Sequence, residues 1–96
     1  MICWVLYDVK KDMPRTKIAK KCKLAGLYRV QKSVFLGSLD ENQKDTLELE
    51  VGELIDEETD SVYIFPMSKT ELKQTALMGQ AFDKKLVMDQ VKALFF

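Results

Sequence analysis

The chain has 96 residues, enough for one domain but not for a large core, so self-association is a natural expectation. It is 47% apolar and 31% charged, which excludes a disordered polymer, and no apolar run approaches the ~20 residues of a membrane span. It has no histidine, which excludes Ser-His-Asp and Cys-His catalysis, His-ligated zinc and a histidine general base.

Residues 2–9 read as the first strand. The run Ile2-Cys3-Trp4-Val5-Leu6-Tyr7 is apolar with little alternation, so both faces should be covered and the strand should lie centrally. No basic stretch precedes it, so it reads as a buried strand rather than a signal peptide. Lys10-Lys11-Asp12-Met13 is the connection. A helix should open at Pro14 and close at Gly26. Inside it, Ile18, Cys22 and Ala25 share one face, and Lys17, Lys20, Lys21 and Lys23 occupy the rest. Cys3 and Cys22 lack metal-ligand spacing and read as reduced core thiols of a cytoplasmic protein.

Residues 28–38 read as strand, with a break at Lys32-Ser33 that predicts a bulge or a tight hairpin. Asp40 and Gln43 have the spacing of a capping box. The helix they open carries Leu47, Val51, Leu54 and Ile55 on one face and tolerates Gly52 inside it. Residues 57–60 are its exit loop. Residues 61–66 form a strand that Pro66 ends or confines to an edge.

The predicted order is β-α-β-(β)-α-β. It is an α+β, ferredoxin-like βαββαβ arrangement: one antiparallel sheet with two helices on one face. Residues 1–96 form a single domain, with 68–96 as a C-terminal extension. Residues 74–82 could add a strand, and residues 86–96 fit either a helix or a short strand. Burying each of Phe95 and Phe96 is worth roughly 1.5–3 kcal/mol, so this tail is expected to pack on a second subunit.

The zero net charge hides a segregation. Residues 1–33 hold nine basic and two acidic side chains, a net of +7, and residues 40–60 hold ten acidic and one basic, a net of −9. Such asymmetry points toward a nucleic acid partner, although solvated helix faces can also sort by chance.

Asp8 closes an apolar strand. One carboxylate holds Mg²⁺ poorly, but two copies of Asp8 meeting at a two-fold axis could share an ion. Asp8 could equally cap the strand end or pair with Lys10, Lys11 or Arg29. Tyr7 could orient phosphate or water, or be a core aromatic. Arg15 and Lys17 stand in the first turn of this helix, where cations oppose the helix dipole, which suggests a role outside the helix. Arg29 could fork onto a phosphate. With Lys20 and Lys21 these cations could neutralise a phosphate backbone, and each is also readable as an ordinary surface charge. Gln31 and Ser33 could donate to phosphates or make structural hydrogen bonds. Phe35 reads as core.

Tyr7-Asp8 after an apolar strand, Arg15-x-Lys17, Gly26 and Arg29-Val30-Gln31-x-Ser33-Val34-Phe35 together resemble the family of small CRISPR-associated endonucleases, the second of the Cas proteins. The resemblance covers residues 1–66, through Asp60-Ser-Val-Tyr-Ile-Phe-Pro, and loosens afterwards. It implies a ferredoxin-like homodimer whose C-terminal strand pairs across subunits. It implies Mg²⁺ (or Mn²⁺) between two Asp8 side chains and metal-dependent cleavage of RNA or double-stranded DNA. It implies a scaffold role beside the CRISPR integrase in spacer acquisition. By motif position Asp8 is the metal ligand, and Tyr7, Arg15, Arg29 and Phe35 are the supporting positions. Lys17 stands where many members carry a second arginine; it keeps the charge and loses the fork. Three other readings stand beside an enzyme: a non-catalytic DNA-binding adaptor, a toxin-like ribonuclease of a related ferredoxin-like family, and an unrelated ligand-binding regulatory domain.

Overall fold

The computed structural model describes residues 1–79. Its elements are β1 (Ile2–Asp8), α1 (Asp12–Leu24), β2 (Tyr28–Gln31), β3 (Val34–Ser38), α2 (Glu41–Gly52), β4 (Ser61–Met67) and α3 (Lys69–Gln74). The strands form one antiparallel sheet in the order β2-β3-β1-β4. This is the predicted βαββαβ arrangement, with β1 inside and β2 and β4 at the edges.

The weak alternation of β1 has a direct cause: both of its faces are covered. Cys3, Val5 and Tyr7 join Ile18, Ala19 and Cys22 of α1, Phe35 of β3, and Leu47 and Val51 of α2 in one core. Ile2 and Trp4 point the other way and pack with Leu36 and with Leu72 of α3. Pro66 lies opposite Cys3 on the edge strand β4, where a missing N–H costs the sheet no central ladder bond.

Helix α1 begins at Asp12, two residues before the predicted start. Pro14 is tolerated there because first-turn N–H groups have no intrahelical acceptor. Lys17 therefore lies in the second turn, and the opposition to the helix dipole argued from the sequence does not apply to it. The C-terminal end follows the expectation for Gly26. Gly26 takes φ +88°, its N–H donates to the Lys23 carbonyl at 3.0 Å, and the Leu27 N–H donates to the Cys22 carbonyl at 3.1 Å. This pair of bonds is a Schellman motif, which satisfies carbonyls at the helix end.

The Lys32-Ser33 break is both of the alternatives read from the sequence. A two-residue turn joins β2 to β3, and the register shifts between Arg29, paired with Phe35, and Gln31, paired with Val34. Helix α2 opens on the predicted capping box, with the Gln43 N–H 2.7 Å from Asp40 Oδ1 and the Asp40 N–H 2.9 Å from Gln43 Oε1. It ends at Gly52 rather than continuing through Ile55, since glycine is a poor helix former. Leu54 and Ile55 still pack against the core.

Residues 69–74 form α3, which the sequence reading lacked. Its signal was present: Ser68 and Glu71 form a second capping box. Leu72 packs on the chain's own sheet, and no strand follows α3 among the described residues. The readings for 86–96, for the Phe95-Phe96 tail and for residues 80–82 lie outside the described residues.

Gly37 is set by packing rather than by backbone conformation. A Cβ there would lie 2.8 Å from Leu27 Cδ2 and 3.1 Å from Leu27 Cα, where the α1–β2 loop crosses β3. Gly37→Ala is expected to destabilise the fold by about 1–3 kcal/mol, the usual cost of an overpacked site. Urea unfolding checks this; an unchanged midpoint would mean that the loop shifts freely.

Candidate nucleic-acid and metal site

The inner strand β1 ends at Asp8, which places it at the C-terminal end of that strand rather than on an edge strand. Asp8 pairs with Ser61 at the last rung of β1–β4, and its side chain is 75% exposed. Of the partners read from the sequence, the structure supplies Lys10: its Nζ lies 3.4 Å from Asp8 Oδ2. No group of three or more Cys, Asp or Glu side chains able to hold a metal exists among the described residues. One chain therefore offers one hard oxygen donor at this position, which fits Mg²⁺ only when another molecule completes the ligand set.

The backbone just beyond Asp8 is tied down from a distance. The Lys10 N–H donates to Asp60 Oδ1 at 2.9 Å, and the Asp56 N–H donates to Asp60 Oδ2 at 2.9 Å. These backbone bonds hold the Asp60 carboxyl below its ordinary range. Neither Lys10 nor Asp60 was singled out as a site residue from the sequence. Asp60 looked like one more charge in an acidic loop, and no local pattern distinguishes it.

Tyr7 faces the helices and is 6% exposed, so strand alternation separates it from Asp8. Its ring stacks on Phe35 with centroids 6.3 Å apart, and its hydroxyl donates to the Lys32 carbonyl at 3.4 Å. Arg29 converges on the same carbonyl through Nε at 3.2 Å and Nη2 at 2.8 Å, while its guanidinium lies 5.6 Å from the Phe35 ring centroid. Tyr7, Arg29 and Phe35 thus form one unit that clamps the β2–β3 turn. Burial raises the Tyr7 hydroxyl above its usual range, and the nearby Arg29 opposes that shift. The Ser33 carbonyl accepts from the Tyr7 N–H at 3.1 Å, and Gln31 is exposed beside the turn.

The predicted cations do not form one uniform patch. Arg15 is ion-paired with Asp12, its neighbour one turn back. This gives Arg15 a local role and removes part of the sequence argument for an external one. Lys21 reaches across to α2, with Nζ 3.3 Å from Glu50 Oε2. Lys17 and Lys20 are exposed and have no ion-pair partner among the described residues. The basic α1 and acidic α2 are neighbours on one sheet face, so their fields partly cancel at the seam.

Two surface hollows bear on the site. A groove of about 430 Å³ lies between α1 and α2 and includes Lys21 but not Asp8. A smaller one of about 330 Å³ is bounded by Lys10, Lys11, Pro14, Leu54, Ile55, Asp56, Thr59 and Asp60, next to the end of β1. Both cysteines are buried free thiols, and burial pushes Cys22 up to about 12. They are unsuited to nucleophilic chemistry. No helix among the described residues is long and apolar enough to cross a membrane.

A four-stranded antiparallel sheet in this order, with two helices on one face and a lone exposed carboxylate ending the central strand, defines a small ferredoxin-like α+β protein. The family model for CRISPR associated protein Cas2 matches residues 1–75, and the chain belongs to that family. A CRISPR-associated endoribonuclease Cas2 of Archaeoglobus fulgidus is 36% identical over 67 residues, covering 70% of this chain and 71% of that protein. A CRISPR-associated endonuclease Cas2 of Halalkalibacterium halodurans is 43% identical, covering 68% and 72%. Among solved structures, Streptococcus pyogenes Cas2 at pH 6.5 superposes with a TM-score of 0.65 at 28% identity, covering 82% of this chain and 100% of that one. A hypothetical protein, TT1823, from Thermus thermophilus gives the same TM-score of 0.65 at 36% identity, covering 70% and 80%.

Proposed function

We propose that the protein is a metal-dependent endonuclease of CRISPR adaptation that also serves as a dimeric scaffold for the duplex handled by the CRISPR integrase. The carrying observation is Asp8: an exposed carboxylate at the end of the central strand, with no companion ligand set among the described residues. A homodimer that brings two Asp8 side chains together supplies the second donor and makes the pair a seat for Mg²⁺ or Mn²⁺. Such an ion would supply electrostatic stabilisation of the charge that develops on a phosphodiester during hydrolysis. The names of the relatives, endoribonuclease and endonuclease, support the same reaction class on RNA or DNA.

In this reading each remaining residue has a positional task. Tyr7, Arg29 and Phe35 hold the β2–β3 turn, with Gln31 and Ser33 at its rim, close to the end of β1. Lys17 and Lys20 contact phosphates directly, and Arg15 and Lys21 do so by exchanging an acidic partner for the nucleic acid. The test is cleavage of single-stranded RNA and of duplex DNA with Mg²⁺ and with EDTA. Chelation is expected to abolish cleavage, and cleavage that persists in EDTA would overturn the metal-dependent reading.

The scaffold role stands on the exposed cations of α1. Lys17→Glu/Lys20→Glu is expected to weaken duplex binding uniformly across sequences. It should also lower the slope of log K against log salt by about 2, near one unit for each phosphate that a lysine no longer neutralises. Titrations at several salt concentrations measure it. An unchanged slope would place the nucleic acid on another face.

A further inference from the structure

We propose that Asp60 is a positioning residue for Asp8, holding the chain segment that carries the exposed carboxylate in one place. The inference rests on the reading of Asp8 as the metal ligand and adds a residue to it.

Asp8 is the last residue of β1, so the ladder no longer fixes the backbone that follows. An unanchored strand end frays, and a carboxylate on it would sample many directions. Asp60 prevents this. Its Oδ1 accepts from the Lys10 N–H at 2.9 Å, two residues beyond Asp8. Its Oδ2 accepts from the Asp56 N–H at 2.9 Å, and the Thr59 hydroxyl lies 3.3 Å from Oδ1. The Asp60 N–H itself donates to the Asp56 carbonyl at 2.8 Å. The carboxylate is thus fixed within its own loop and passes that order on to the exit of β1.

The register continues the constraint. Ser61, next to Asp60, pairs with Asp8, so the last rung of β1–β4 holds the backbone at Asp8 and the clamp holds it two residues further on. The clamp also sets where Lys10 starts, and its Nζ lies 3.4 Å from Asp8 Oδ2. Lys10 thereby neutralises the lone carboxylate until another cation takes its place.

A merely structural Asp60 would affect stability and leave metal affinity alone. The two roles separate by Mn²⁺ titration of the full chain, read calorimetrically, with amide hydrogen exchange at Lys10 in parallel. Asp60→Ala is expected to weaken Mn²⁺ binding about 10-fold, in the range found when a residue supporting a ligand is removed. Lys10 should exchange faster. Asp60→Asn keeps one acceptor oxygen for the Lys10 N–H but turns its NH2 toward the Asp56 N–H, so it is expected to restore part of the affinity. Wild-type affinity in Asp60→Ala would overturn the inference, as would equal losses in Asp60→Asn and Asp60→Ala. Should Asp60→Ala fail to fold, Asp60→Glu displaces the carboxylate by one methylene and is expected to weaken Mn²⁺ binding similarly; wild-type affinity there would overturn it too. Asp8→Ala distinguishes the two levels. If it binds Mn²⁺ as the wild type does, the reading of Asp8 as ligand fails. If it does not bind while Asp60→Ala binds normally, only the role of Asp60 fails.

Discussion

Asp8→Ala is expected to lower Mg²⁺-dependent cleavage at least ~100-fold while leaving the fold intact. Residues that merely support a metal ligand cost about 10–100-fold when removed, so loss of the ligand itself should meet or exceed the upper figure. The variant is informative because Asp8 contributes little to folding. It is exposed, it ends its strand, and its ion pair with Lys10 joins two side chains that are 61% and 75% exposed. Exposed pairs of this kind are worth ~0–1 kcal/mol. A cleavage assay run beside circular dichroism and an unfolding curve checks both parts. Undiminished cleavage by Asp8→Ala would assign the activity to another site or to a contaminant. Integration assays with the CRISPR integrase then separate the roles: retained integration by Asp8→Ala means that the scaffold works without cleavage.

Phe35→Ala is expected to cost about 3–5 kcal/mol of stability, the range for truncating a buried aromatic. Phe35 is fully buried, at 0% exposure, on an inner strand. A domain of this size holds only about 5–15 kcal/mol in total, so the variant should approach the unfolding threshold. The substitution also removes the ring on which Tyr7 stacks and over which Arg29 lies. Phe35→Leu separates these effects. It keeps most of the apolar volume and is expected to cost only ~1–2 kcal/mol, through the missing aromatic and cation–π interactions. Denaturant unfolding measures both variants. Equal destabilisation would mean that ring geometry, rather than volume, dominates at this position.

The charge segregation illustrates a limit of one-dimensional reading. Counting along the chain separates a basic segment from an acidic one. Folding places α1 and α2 side by side, and Lys21 meets Glu50 at 3.3 Å. The count is correct, but the field it suggests is weaker at that seam than a run of lysines implies. The exposed Lys17 and Lys20 are accordingly the better choice for charge reversal than Lys21, which Glu50 already pairs.

What the sequence determined by itself was local or periodic. The apolar run ending in Asp8, the capping box of Asp40 and Gln43, and the left-handed Gly26 are each encoded within a few residues, and the element order follows from them. The spacing of Tyr7-Asp8 from Arg29-Val30-Gln31-x-Ser33-Val34-Phe35 was enough to indicate the family. Helix α3 was also legible from Ser68 and Glu71, but its short length and the loosening resemblance hid it. Only the tertiary structure decided which groups meet. Asp60 bonds to a backbone N–H fifty positions away, Arg29 directs its fork to the Lys32 carbonyl, and Tyr7 lays its ring against Phe35. Those pairings depend on sheet register and on the strand exit angle, which are set by packing the whole chain at once. Caps and periodicity act over one or two turns, so they mark where elements start and stop but leave unspecified which distant side chain will occupy the space beside Asp8.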